Sequence, residues 1–200
     1  PSPPKTSALR RILTKAFTPS PEDVIINCGA FIGFGDIRVA EELSSGGRII
    51  AVEASQSCYD LLRRNLTANQ ASCVTPIHRA VWNTVTTMEL ESDFAQANTL
   101  VADVYKGSHT QQVQTITIDQ IVQEHALPKV DMLSLTLNGA EIEALDGAKD
   151  TLDKHRPRIR LAGWYSRDGE KISTLTKRIL EKYDYQVFVG PRDNVLAVAR

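Results

Sequence analysis

Short apolar runs alternate with segments of helical period along most of the chain. Residues 23–27 (DVIIN) read as a buried strand, and 35–47 (GDIRVAEELSSGG) as a helix closing on glycines. Next come a strand at 48–55 (RIIAVEAS) and a helix at 56–69, with Cys58, Leu61, Leu62 and Leu66 along one stripe. A third strand follows at 73–81. The same rhythm returns later, with helix 118–126, strand 131–137, helix 141–154, strand 158–164 and helix 170–183. The runs 186–190 (QVFVG) and 195–199 (VLAVA) predict an antiparallel hairpin at one sheet edge. Strands alternating with helices predict an α/β fold, with about seven mostly parallel strands, helices on both faces and right-handed crossovers.

Three stretches stand apart from this rhythm. Residues 1–22 read as a lead-in segment with a short helix at 7–17, and 23–200 as a single domain. Between predicted strands at 86–92 and 113–118, residues 93–112 have no clear period; connections of about 20 residues are either functional lids or mobile segments. In 131–141 (DMLSLTLNGAE), Leu133, Leu135 and Leu137 alternate with Ser134, Thr136 and Asn138. An interior strand with a polar face needs an explanation. A half-exposed edge strand is one; a ligand crevice at the strand's carboxyl end is the other.

Composition narrows the setting. With 200 residues, 42% hydrophobic and 24% charged, the chain suits one ordinary globular domain, and no apolar run approaches the ~20 residues of a membrane helix. A net charge of −1 gives no electrostatic reason to expect nucleic acid or a membrane surface as a partner. The basic run at 154–160 (KHRPRIR) reads as a solvated helix end. Cys28, Cys58 and Cys73 match neither a zinc site nor a redox pair, so reduced thiols in the cytoplasm are expected, with no metal. Because the chain begins at Pro1 without Met and without a signal peptide, it reads as trimmed or as a piece of a longer protein.

In open α/β sheets the ligand binds outside the carboxyl ends of the strands, so the first strand–helix turn is the place to look. Here it reads NCGAFIGFG (27–35). A dinucleotide fingerprint counted from Gly29 would need glycines where Phe31 and Phe34 stand, and no G-K-[ST] follows for a P-loop. Asn27, Gly29, Gly33 and Gly35 leave a more open turn. Glu53, at the end of the second strand, can accept the hydroxyl hydrogens of a ribose. Each feature alone is also explained without a ligand, as a tight turn or a solvated helix start. Together they suit a nucleoside without a pyrophosphate, the shape of S-adenosylmethionine (SAM).

With these residues in hand, the chain resembles the FkbM-type SAM-dependent methyltransferases. VIINCGAFIGF (24–34) is similar to the family's glycine turn, and 49–69 resembles its acidic ribose strand and following helix. RAVWN (79–83), TITIDQIV (115–122) and 130–152 resemble further segments in the same order. The resemblance implies a Rossmann-like class I methyltransferase fold, SAM as cofactor, and methyl transfer to oxygen on a small-molecule or sugar-like acceptor. It places Asn27, Gly29, Ala30, Phe31 and Gly33 beside the methionine and ribose parts and Glu53 on the ribose. Ala54, Ser55, Ala80 and Val81 would flank the adenine.

The chain departs from the family where charge is usual. Asn27 stands for Asp; Ser134, Thr136 and Asn138 stand for Lys, Asp and Glu; and Ala162, Gly163 and Trp164 replace an acidic residue or a Tyr-His pair. Asn27 predicts weaker cofactor binding than an aspartate would give, and Asn27→Asp is expected to strengthen it. Ser134, Thr136 and Asn138 are expected to line the acceptor site but cannot act as a base near neutral pH. His78, His109, Glu141 and Asp168 are the candidates for that role. Two readings stay open: an active O-methyltransferase, or a methyltransferase-like domain that has lost catalysis and serves as a binding or structural module.

Overall fold

The computed structural model describes residues 16–44, 46–91, 98–101 and 109–200. The predicted helix at 7–17 falls almost entirely outside them. Five parallel strands form the centre of the sheet: β1 (Val24–Cys28), β2 (Arg48–Glu53), β3 (Val74–His78), β7 (Met132–Leu135) and β8 (Arg158–Leu161). Antiparallel β12 (Val195–Ala199) and β11 (Tyr185–Val189) complete one edge, giving the order β11-β12-β8-β7-β1-β2-β3. This is the seven-stranded mixed sheet that the alternation predicts, with the hairpin at its edge.

Neighbouring residues of each central strand serve opposite faces, which is why the runs are apolar throughout. Ile25, Ile49 and Met132 pack with Leu62 and Leu66 of α2 (Gln56–Ala68), beside α1 (Phe34–Ala40). Ile26, Ile50, Leu133 and Leu135 belong to the larger core on the other face. It includes Ile118 and Ile121 of α3 (Ile118–Glu124), Ala144 and Leu145 of α4 (Glu141–Asp146), and Leu152 of α5 (Lys149–Lys154). Ile172 and Leu180 of α6 (Ile172–Lys182) complete it. Helical spacing puts Leu61 on the buried stripe of α2, but it is 46% exposed: the stripe is narrower than the sequence suggests, and Cys58, Leu62 and Leu66 are its buried residues.

The region between β3 and α3 forms a second, three-stranded sheet. Here β6 (Thr110–Ile116) pairs in parallel with β4 (Ala80–Val81) and antiparallel with β5 (Thr87–Glu91). The predicted third strand at 73–81 is therefore two strands in two sheets. β6 also begins earlier than expected, taking residues 110–112 out of the 93–112 loop. Of that loop, Thr99 bridges to Glu91, and 92–97 and 102–108 lie outside the described residues. A two-residue hairpin, β9 (Ser166–Arg167) with β10 (Glu170–Lys171), precedes α6.

The predicted helix 141–154 is broken into α4 and α5, and Asp119 accounts for the break. Its backbone N–H donates to the Gly147 carbonyl (3.0 Å), while its carboxylate accepts from the Asp150 and Thr151 N–H groups (3.0 and 2.8 Å) and the Thr151 hydroxyl (2.6 Å). One side chain thus caps the start of α5 from another element and satisfies donors a continuous helix would have used internally. Gly147 fits because a Cβ there would lie 2.5 Å from the Trp82 carbonyl oxygen.

No helix among the described residues is long and apolar enough to cross a membrane, and Cys28, Cys58 and Cys73 are all free thiols. Asp119→Ala should destabilise the domain by about 1–2 kcal/mol, the usual cost of a lost cap. Asp119→Asn should cost less. Urea unfolding of the two variants checks this, and equal stability of wild type and Asp119→Ala would contradict the capping role.

Candidate functional site

The chain reverses its build direction at β1, which pairs with β2 on one side and β7 on the other. At such a switch point the crossovers diverge and leave a crevice at the carboxyl edge. The turn after β1 fills the base of it. Gly29 (φ +84°), Phe31 (φ +54°) and Gly33 (φ +81°) all adopt left-handed backbone. At Gly29 a Cβ would sit 2.0 Å from the Thr136 carbonyl oxygen, so only glycine lets the turn lie this close to the end of β7. Gly33 precedes α1, and a Cβ there would meet Leu62 at 2.5 Å.

Glu53 fastens this turn to the next one. Its carboxylate accepts the Phe31 N–H and the Ser55 N–H, both at 2.8 Å, and it is only 8% exposed. Burial pushes its pKa up while the backbone donors oppose that shift. Among the described residues each oxygen takes one of these two bonds, and a carboxylate has lone pairs beyond them for a ligand hydroxyl.

Two adjoining cavities open here. The larger, about 700 Å³, is lined by Glu53, Ala54, Ala80, Val81 and Leu90 at one end and by Asn98, Asn138, Trp164 and Tyr165 at the other. The smaller, about 420 Å³, is lined by Asn27, Ala30, Ser134, Arg160 and Asn194. Gly29, Phe31, Phe34, Thr136 and Trp164 line both.

Most of the residues expected at a nucleoside site therefore meet at one edge. Gly33 and Ser55 line neither cavity; they act on the backbone, as a helix start and as a donor to Glu53.

The three neutral residues of 131–141 do not form one surface. β7 ends at Leu135, and only Ser134 belongs to it. Ser134 is 4% exposed and accepts from Arg160 Nε (3.0 Å) in the smaller cavity. Thr136 is exposed at the junction. Asn138 lies in the following turn with φ +53°; its side-chain amide donates to the Asn98 carbonyl (2.9 Å) and its side-chain oxygen accepts from the Tyr165 hydroxyl (3.1 Å). Its own carbonyl accepts from the Thr99 hydroxyl (2.9 Å). Asn138 is thus a brace between the described part of the 93–112 stretch and the connection that follows β8.

None of the four candidate bases lines either cavity. His78 stacks on Tyr59 and its Nε2 meets the Ala54 carbonyl at 3.0 Å. Asp168 is exposed in the β9–β10 turn, and His109 stands just before β6. Glu141 is fully buried and accepts the Leu137 and Gly139 N–H groups (2.8 and 2.9 Å), with burial pushing its pKa up to about 7. It holds the turn that carries Asn138.

Asn27 is committed as well: its amide donates to Asp36 Oδ1 (2.8 Å). Asp36 is 3% exposed, its Oδ2 is buried with no hydrogen-bond partner among the described residues, and burial pushes its pKa up to about 6. A carboxylate at position 27 would therefore face a second one at close range, so the simple expectation that Asn27→Asp strengthens cofactor binding loses its footing.

Sequence reasoning missed Tyr165, Arg79 and Arg160 among the lining residues and marked Trp164 only as a departure from the resembling family. The signal for the aromatic pair was their place at the carboxyl end of a predicted strand. Among the described residues no cluster of three or more His, Cys, Asp or Glu is placed to hold a metal ion.

A family model described as Methyltransferase FkbM domain matches residues 27–189. No curated protein matches the chain. A crystal structure of Methyltransferase FkbM from Methylobacillus flagellatus superposes with a TM-score of 0.63 at 18% identity, covering 90% of this chain and 44% of that one. The present chain thus spans less than half the length of that protein. A precorrin-6y C5,15-methyltransferase from Geobacter metallireducens gives 0.56 at 17% identity, covering 97% and 87%. Fibrillarin from Aeropyrum pernix, crystallised with natively bound SAM, gives 0.55 at 14% identity, covering 96% and 74%. At these identities the likeness is one of fold.

The raised pKa values have a definite sign. Asp36 and Glu141 ionise more readily in the unfolded chain, so the stability they carry is present below about pH 4 and is lost as pH rises through about 6 for Asp36 and about 7 for Glu141. Asp36→Asn keeps the acceptor for Asn27 but cannot ionise. It should flatten the decline between pH 4 and 6 by on the order of 2–3 kcal/mol. Urea unfolding across that range measures it, and an unchanged slope would contradict the burial of an ionising Asp36.

Proposed function

The chain belongs to the FkbM methyltransferase domain family, and from that premise we propose that it binds SAM at the carboxyl edge of β1, β2 and β7 and methylates an oxygen of a small-molecule or sugar-like acceptor. The observation that carries the reading is Glu53, a buried carboxylate with spare lone pairs beside an apolar slot, next to a turn that only glycine allows to close.

The residues fit a nucleoside. Ala54, Ala80, Val81 and Leu90 offer a flat ring an apolar slot, Glu53 takes the ribose hydroxyls, and the glycine turn lets a ligand approach the backbone closely. Asn98, Asn138, Trp164 and Tyr165 then form the walls for an acceptor. SAM supplies a methyl group on a sulfonium, whose sulfur keeps the bonding pair when the methyl moves to the acceptor oxygen.

What the chain contributes is placement. Glu53 is the one carboxylate among the described lining residues, and it is occupied by backbone donors and the ribose. The acceptor proton therefore leaves to water through the open crevice. Holding two reactants in line can itself supply roughly 7–11 kcal/mol of the barrier reduction, so the neutral Ser134, Thr136 and Asn138 are compatible with an active enzyme.

SAM or S-adenosylhomocysteine at 100 times its dissociation constant should stabilise the protein by about 2.7 kcal/mol, a melting shift of roughly 5–10 °C for a chain of this size. Glu53→Gln should weaken binding about 10–100-fold, the loss of a charge-assisted acceptor. Absence of a shift with both ligands would sink the cofactor reading. Transfer of labelled methyl from SAM to a sugar-like acceptor would then separate an enzyme from a binding module.

A further inference from the structure

The smaller cavity has a feature that methyl transfer alone does not use. In-register pairing of β1, β7, β8 and β12 sets Asn27, Ser134, Arg160 and Leu196 in one row across the sheet, and all four line this cavity. Arg160 is the one ionisable side chain among the described lining residues. It is exposed, and its hydrogen bond among the described residues runs from Nε to Ser134 Oγ at 3.0 Å. That bond to a buried hydroxyl fixes the guanidinium while leaving its terminal N–H groups without an acceptor among the described residues.

A guanidinium held in one plane presents paired donors that match a carboxylate or phosphate in two-point fashion. The nearby negative charge, Asp36, is turned to Asn27 and forms no ion pair with Arg160, so it tempers the positive field without occupying the donors. The cavity meets the larger one at Gly29, Phe31, Phe34, Thr136 and Trp164, so a group bound on Arg160 lies beside the place assigned to the reacting methyl.

We propose that the smaller cavity is an oxyanion site built on Arg160 and Ser134, taking a carboxylate or phosphate carried by the acceptor or the carboxylate of the cofactor's amino-acid tail. Its position beside the transfer centre rests on the methyltransferase reading. The donor geometry at Arg160 does not. A neutral acceptor would offer the fixed guanidinium no paired acceptor oxygens, so the site favours acidic partners over neutral ones of the same shape.

Calorimetric titration of wild type and Arg160→Met with S-adenosylhomocysteine and with 5′-methylthioadenosine, which lacks the amino-acid tail, makes the first arm. If the tail is the source, wild type prefers S-adenosylhomocysteine by about tenfold or more. In the variant that preference shrinks to within about threefold, with the methylthioadenosine affinity unchanged. Titration of inorganic phosphate and of acetate into S-adenosylhomocysteine-loaded protein, read by the NMR shift of the arginine Nε–H, makes the second. If the acceptor is the source, both nucleosides bind wild type and variant alike, while the anions bind wild type and are lost in Arg160→Met.

An Arg160→Met protein with unchanged affinity for S-adenosylhomocysteine and for both anions overturns the proposal. If neither nucleoside binds at all, the cofactor reading fails separately and the anion titrations of the unloaded protein still decide Arg160. Arg160→Lys, which keeps the charge but not the fork, is expected to weaken anion binding about 3–10-fold. It and Arg160→Gln stand in should Arg160→Met not fold.

Discussion

The carboxyl edge of this sheet depends on one close approach, the backbone of Gly29 against the carbonyl of Thr136. No side chain fits between them, and a single Cβ would come within 2.0 Å of that oxygen. With the turn pressed against the end of β7, the Gly29 and Ala30 N–H groups both reach the Val52 carbonyl of β2 (2.9 and 3.0 Å). Phe31 is then presented to Glu53. Three strands are tied together by a turn of a few residues, and the cavities on either side take their shape from it. A side chain at 29 would push the turn outward, open the β1–β7 seam and remove the floor shared by both chambers.

The second theme is displaced charge. At 27 and 134, where the resembling family carries ionised groups, this chain has an amide and a hydroxyl. Yet each is hydrogen-bonded to an ionisable neighbour, Asn27 to Asp36 and Ser134 to Arg160. The site is not drained of charge. The base, Arg160, stands in the strand row beside Ser134, and the acid, Asp36, reaches the row from α1 through Asn27. Buried carboxylates are costly, and Asp36 ionises at higher pH than a free carboxyl group; its Oδ2 has no hydrogen-bond partner among the described residues. Such an atom beside a cavity marks a place where the protein keeps a polar group at a cost in stability.

How much of this was legible in sequence follows from how local each feature is. The turn after β1 and Glu53 were readable because their residues lie within one strand–turn–strand unit with its own spacing. The alternation Leu133, Leu135 was readable because strand period is local too. Arg160 was not, since its meaning comes from register: it stands opposite Ser134 through the β7–β8 pairing, 26 residues away. The break at Gly147 depends on Asp119 in a different helix, and the strand at 73–81 divides only because β6 claims its last two residues. Ser134, Thr136 and Asn138 looked equivalent by period, but the strand ends at Leu135, so the period stops applying midway through the motif.

Asn138 shows what the polar residues after β7 accomplish. Left-handed backbone costs a non-glycine residue on the order of 1 kcal/mol or more, least for asparagine, and Gly139 beside it has φ +110°. The surrounding bonds over-determine this shape: Glu141 takes the N–H groups on either side, while Tyr165, Asn98 and Thr99 hold the side chain and carbonyl. A charged residue at 138 could not both accept from a tyrosine and donate to a carbonyl, as the amide does. Its neutrality is therefore a requirement of the brace, which joins the wall at 98–100 to the aromatic wall at 164–165. Fixing those walls before a ligand arrives removes part of the ordering cost that a methyl acceptor would otherwise meet on binding.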